Sequence, residues 1–166
     1  MPGAGRLRDY RRKIVLRVDG KSQPLDVDND FFAISAGNPA QEIKQCTTFE
    51  SDSLLSLTPH MHYRGKDARF EIQRPGQSPE TVLFVPKYDF NWQLKYQLQD
   101  PVFVPKGTRL IMTFHYDNSS NNPSNPDPSR TIRWGEPSQE EMMSGWIDYV
   151  TVPSNVTSSF LTQIKR

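Results

Sequence analysis

Apolar side chains recur at every second position through much of this chain. In 68–73 the order Ala68-Arg69-Phe70-Glu71-Ile72-Gln73 sets Ala68, Phe70 and Ile72 on one side of an extended segment and Arg69, Glu71 and Gln73 on the other, as in a strand with one face on a core and one in water. Runs rich in β-branched and aromatic residues recur at 13–18, 30–35, 42–49, 53–57, 68–73, 81–85, 92–98, 108–116, 131–134 and 146–152. Turn formers separate them, and no long window carries helical periodicity. Strands this short predict an all-β fold, an antiparallel β-sandwich in a single domain. Residues 1–29 then read as an N-terminal extension with a first strand, 30–152 as the sandwich and 153–166 as a C-terminal tail.

Composition narrows this without redirecting it. The 14 prolines and 9 glycines account for the frequent interruptions, and 166 residues suffice for one domain with a sizeable core. Twenty Lys plus Arg stand against nineteen Asp plus Glu, a balance that implies no nucleic acid partner. No run approaches the roughly 18 apolar residues of a membrane span, so none is expected. The start, Met-Pro-Gly-Ala-Gly-Arg-Leu-Arg, lacks the apolar stretch of a signal peptide. A basic cluster there, Arg6, Arg8, Arg11, Arg12 and Lys13, reads as a solvated tail.

Candidate chemistry centres on Leu-Thr-Pro-His-Met-His-Tyr-Arg-Gly, 57–65. On an extended segment the side chains of His60 and His62 leave the same face, so both imidazoles can grip one ion. Cys46 is the chain's single cysteine, which excludes a zinc site built on two or four thiolates within the chain. The remaining donors are His115 in Thr-Phe-His-Tyr-Asp-Asn-Ser and the pair Met142-Met143 in Gln-Glu-Glu-Met-Met-Ser-Gly. Imidazole with thioether favours copper, above all Cu(I), over zinc, calcium or magnesium. A surface histidine pair with methionines filling the core accounts for the same string.

The wider string resembles one family in order and spacing. Thr-Pro-His-Met-His-Tyr-Arg-Gly-Lys (58–66), Val-Pro-Lys-Tyr-Asp-Phe-Asn-Trp-Gln (85–93), Val-Pro-Lys-Gly-Thr (104–108), His-Tyr-Asp-Asn-Ser (115–119), Asn-Pro-Asp-Pro (125–128) and Trp-Gly-Glu-Pro-Ser-Gln-Glu-Glu-Met (134–142) are similar to the C-terminal domain of the copper type II, ascorbate-dependent monooxygenases. These include peptidylglycine alpha-hydroxylating monooxygenase and dopamine beta-monooxygenase, and the likeness is greatest to bacterial relatives of unassigned substrate. It spans roughly residues 30–152. It implies a jelly-roll-like sandwich holding one copper on His60, His62 and Met142, with Met143 as neighbour. It also implies dioxygen and an organic substrate at that copper, and electrons from ascorbate through a second copper held by three histidines of a separate domain. A setting outside the cytoplasm, periplasmic or secreted, follows from the resemblance alone.

Departures from the family pattern limit what carries over. With His60 and His62 assigned, only His115 remains, so the electron-transfer site is missing and the chain alone is expected to bind copper but turn over poorly. Where the amidating members anchor a peptide through arginine, asparagine and tyrosine, this chain has Thr58, Ser144 and Trp146, which argues against a C-terminal peptide glycine as substrate. Trp146 is therefore a candidate contact near the copper, and His115 a candidate second-layer group if its strand runs beside that of His60. A copper carrier, sensor or store built on the same donors, or a non-catalytic sandwich that binds a partner or glycan, are the competing functions.

Four further segments leave choices open. The polar stretch 117–128 reads equally as a solvated connection or as a loop shaping the metal site, and less well as a calcium loop. The aromatic stretch 88–93 reads as core packing rather than a substrate cleft. Adjacent Glu140 and Glu141 point to opposite sides of a strand and so cannot share acid–base work; they are expected to fix the turn into Met142. Asn118 and Asn155 each begin an Asn-x-Ser/Thr triplet, too short a signal to support modification.

Overall fold

The computed structural model describes residues 23–50 and 52–151. The run at 13–18, the basic cluster, Asn155 and the tail from 153 lie outside these residues. The strands are β1 (Gln23–Asp28), β2 (Ala33–Ile34), β3 (Gln41–Thr48), β4 (Asp52–His60), β5 (Gly65–Gln73), β6 (Glu80–Val85), β7 (Tyr96–Val104), β8 (Arg109–Tyr116), β9 (Ile132–Arg133) and β10 (Ser144–Thr151). Among the described residues there is no helix, and so none long and apolar enough to cross a membrane.

Two four-stranded sheets, β1-β10-β4-β7 and β3-β8-β5-β6, carry the architecture, with β2 and β9 as a separate pair. Every strand pairing is antiparallel. Setting aside the short β2–β9 pair and taking the eight long strands in chain order, the sheets read first-eighth-third-sixth and second-seventh-fourth-fifth, the strand order of a jelly roll. Successive strands β3, β4 and β5 therefore alternate between sheets, and each link between them crosses an end of the sandwich. His60 closes β4, so the His-Met-His segment lies on such a crossing.

Inner faces of both sheets close the core. Phe70 and Ile72 of β5, Leu110, Met112 and Phe114 of β8, and Leu54 and Leu57 of β4 are fully buried. The Phe70 and Phe114 rings meet edge to face with centroids 5.6 Å apart, a contact worth about 1 kcal/mol beyond the area it buries. The expected alternation in β5 is realised, with Ala68, Phe70 and Ile72 inward. Gly145 of β10 marks a close approach of the sheets, because a Cβ there would collide with the Met112 sulfur.

Three sequence expectations need correction. The sandwich begins before residue 30, since β1 is hydrogen-bonded to β10 along its whole length; with only Leu25 and Val27 turned inward, its alternation is too brief to be read in isolation. The strand expected at 92–98 starts later and runs through Pro101. Pro101 is admitted because β7 is an edge strand and one flank needs no donor. The strand expected at 53–57 continues to His60 through Pro59, which lies beyond Leu57, the last β4 residue paired with β7, and so on a stretch with one open flank.

Candidate metal centre

Along β4 and β10 the alternation decides which side chains meet. Leu57 and Ile147 are buried and directly opposed, as are Pro59 and Gly145. Thr58, His60, Ser144 and Trp146 therefore occupy the outer face of the first sheet. The imidazole of His60 and the indole of Trp146, on neighbouring strands, stack with centroids 5.0 Å apart and planes 17° from parallel. Further along this face the Ser56 hydroxyl donates to Asp148 at 2.7 Å, and Lys95 pairs with the same carboxylate.

Hydrogen bonding fixes the tautomer of both histidines. The Gln93 amide nitrogen donates to the Phe90 carbonyl at 2.9 Å, so its oxygen faces His60 Nδ1, 2.6 Å away, and must accept a proton from it. His62 Nδ1 lies 3.2 Å from the Glu140 carbonyl, which can only accept. Both rings thus carry hydrogen on Nδ1 and keep the Nε2 lone pair for a ligand, the usual arrangement of a histidine held for metal binding. Burial lowers the pKa of His62, opposed by the bond to the Glu140 carbonyl and helped by the Arg64 charge, so its ring stays neutral near pH 7.

The two rings stand 5.2 Å apart at 87°. An ion about 2 Å from each Nε2 lies about 3 Å from each ring centre, and at a tetrahedral angle two such centres are roughly 5 Å apart. The spacing suits one shared ion. Among the described residues no three of His, Cys, Asp and Glu cluster for a metal, so a third donor from these residues would be of another kind, a thioether among them. The Ser144 hydroxyl, directly opposite His60, is buried without a partner, which leaves hydrogen-bonding capacity unspent at this corner.

A second chain segment locks the crossing in place. Glu141, fully buried, accepts the backbone N–H of His62 at 2.7 Å through one carboxylate oxygen and that of Arg64 at 2.6 Å through the other. Desolvation raises its pKa to about 7, against the lowering effect of those same bonds and of the Arg64 charge. The Tyr88 hydroxyl takes the Met61 N–H at 3.0 Å and donates to the Met61 carbonyl at 2.6 Å. Gly65 leaves room for that ring, since a Cβ there would come within 2.6 Å of it. The backbone between the histidines is pinned on both sides, which preorganises the two rings.

Arg64 explains the polar stretch 117–128. Its guanidinium is buried, donating from Nε to Asn118 Oδ1 at 2.8 Å and to the Gln139 carbonyl at 2.8 Å. Asn118 is itself buried and donates to the carbonyls of Ser35 and Arg130, so the loop braces the segment behind His62. Asp117 and Asp127 each turn one oxygen, Oδ1, to the backbone N–H and hydroxyl of Ser119 and Ser129 respectively. The Asn118 amide, with both hydrogens engaged inside the fold, is closed to glycosylation.

The remaining expected site residues divide clearly. Met142, next in the chain after the Glu140–Glu141 pair that bears on His62, is half-buried, with the Tyr116 hydroxyl donating to its carbonyl at 2.9 Å. Met143 points the other way and is fully buried in the core. His115 is elsewhere: β8 is flanked by β3 and β5, not by β4. There its Nδ1 meets Asp67 at 2.6 Å and its Nε2 lies 3.5 Å from Glu42, on the outer face of the second sheet. Glu140 and Glu141 act separately, the first pairing with Arg130 at 2.9 Å. Of the aromatic stretch, Tyr88 is buried, Phe90 packs edge-on against His62 at 5.8 Å, and Trp92 is 70% exposed.

Gln93, Tyr88 and Arg64 were not legible as site residues. Each acts across a sequence separation that spacing does not encode. Fold and site together define a jelly-roll sandwich with a preorganised histidine pair at a crossing between its sheets. No protein-family model matches the chain, and no curated protein matches it either.

Proposed function

We propose that this chain is the copper-binding, oxygen-activating domain of a monooxygenase that hydroxylates a carbon of an organic substrate. Electrons would come from ascorbate or a separate electron-transfer copper domain. The reading is carried by one observation: two histidines with fixed tautomers offer Nε2 lone pairs at the ring spacing of a shared ion. His60 and His62 are the nitrogen ligands, and Met142 adds the thioether that favours Cu(I). Copper held there supplies a one-electron couple and a coordination position for dioxygen. Gln93 and the Glu140 carbonyl hold the ligand rings in orientation, Glu141 and Tyr88 hold the backbone between them, and Trp146 covers one face of His60. The family resemblance supports this reading and an extracytoplasmic setting.

Cu(I) titration under a competing chelator tests it. One ion per chain is expected, with affinity reduced by a large factor in His60→Ala and His62→Ala and selectively for Cu(I) in Met142→Ile. Equal affinity in the wild type and both histidine variants overturns the proposal.

A further inference from the structure

Beside the histidine corner lies an open cleft of about 410 Å³ that the copper reading does not use. Its wall is the pair Tyr63 and Phe90, edge to face with centroids 4.8 Å apart. Phe90 also packs edge-on against His62, with centroids 5.8 Å apart, so one ring borders both the cleft and the candidate ligand. The rim is polar: Lys87, Asp89, Asn91 and Ser124 line it and are exposed. Among the described residues, the Lys87 ammonium, the Asn91 carboxamide and the Ser124 hydroxyl have no partner. Asp89 spends one oxygen on the Asn91 N–H at 2.8 Å and keeps the other.

We infer that this cleft binds a neutral saccharide. Lysine only donates, a carboxylate only accepts, and carboxamide and hydroxyl do both. A sugar's hydroxyls, each one donor and two acceptors, can satisfy all four groups at once. An anion gains Lys87 but meets the free oxygen of Asp89, and a cation meets the reverse conflict, so no single sign of charge suits the rim. The aromatic wall matches the apolar C–H surface of a pyranose. The volume falls within the range of small-molecule sites, while the polar rim and open form differ from the enclosed, mainly apolar pockets that take lipophilic ligands. The inference does not depend on the copper, because no lining group named here is a proposed metal ligand.

Calorimetric titration of the metal-free protein with maltotetraose, cellotetraose and the tetramer of N-acetylglucosamine tests it. At least one tetrasaccharide is expected to bind. Lys87→Ala and Asn91→Ala, both at exposed positions, should each weaken it about fivefold or more, the loss of one hydrogen bond's worth of affinity. Lys106→Ala, at an exposed site outside the cleft, should leave it unchanged. Failure of all three sugars to bind, or binding indifferent to Lys87→Ala and Asn91→Ala, overturns the inference. So does preferential binding of inorganic phosphate or of glycylglycine at the same residues. Copper affinity is read separately, so loss of either property leaves the other measurable.

Discussion

The indole of Trp146 lies nearly parallel to the imidazole of His60, 5.0 Å between ring centres, on the outer face of the first sheet. Stacking of this kind couples the fluorophore to whatever His60 binds. Cu(II) is therefore expected to quench part of the tryptophan emission, saturating at one equivalent. In Trp146→Phe the saturable quench should largely vanish, since Trp92 and Trp134 make no such contact with a histidine. A quench of equal size in that variant would place the ion away from His60.

Gln93 fixes the tautomer of His60 by accepting from Nδ1. Removing the acceptor in Gln93→Leu leaves the ring free to rotate and to put its proton on Nε2. Partners of this kind affect metal affinity by roughly 10–100-fold. Copper affinity should fall by about that factor with little change in thermal midpoint, and Gln93→Glu, which keeps an acceptor, should restore most of it. Equal affinity for the leucine variant and the wild type would show that His60 is not held for a ligand.

Tyr88→Phe removes one hydroxyl that serves both the N–H and the C=O of Met61. Each buried group left unpaired costs about 1–3 kcal/mol, so urea unfolding should show a loss in that range or somewhat more. Copper affinity should also weaken, because Met61 is the link between the two histidines. The hydroxyl itself stays protonated across the working range, since burial raises its pKa.

Glu141 gives a pH dependence of definite sign. Its folded pKa, about 7, lies above the ordinary glutamate value of 4.5, with desolvation the largest cause. Between those values the folded state holds a proton that the unfolded state has released, so this group's contribution to stability is greatest below about pH 4.5 and is lost as pH rises through 7. The contribution lost is about 3 kcal/mol. Glu141→Gln should show a flatter profile across that window in chemical denaturation of the metal-free protein. It should also be weaker at acid pH, where one amide oxygen serves two backbone N–H groups. A wild-type stability that rises between pH 5 and 7 in step with the variant would contradict this assignment.

The sandwich was legible in the chain because a strand with one buried face must repeat with period two, as β5 and β8 do. The donor types of the candidate site were legible too, since His60-Met61-His62 is a local string whose side chains can be counted off. The conditional role of His115 failed on topology: strand neighbours are chosen by the whole sheet order, and β8 lies between β3 and β5. Pro101 obscured β7 because its tolerance depends on an edge position that no local pattern records.

By itself the sequence determined the alternation, hence the class of fold, and the presence of two imidazoles one residue apart. Tertiary structure alone decided that Gln93 reaches His60, that the Glu141 carboxylate clamps His62 and Arg64 across more than seventy residues of chain, and that Trp146 covers one ring. The physical reason is range: side-chain periodicity is set by bonds between neighbours, whereas tautomer, burial and proton affinity are set by groups that only folding brings within hydrogen-bonding distance.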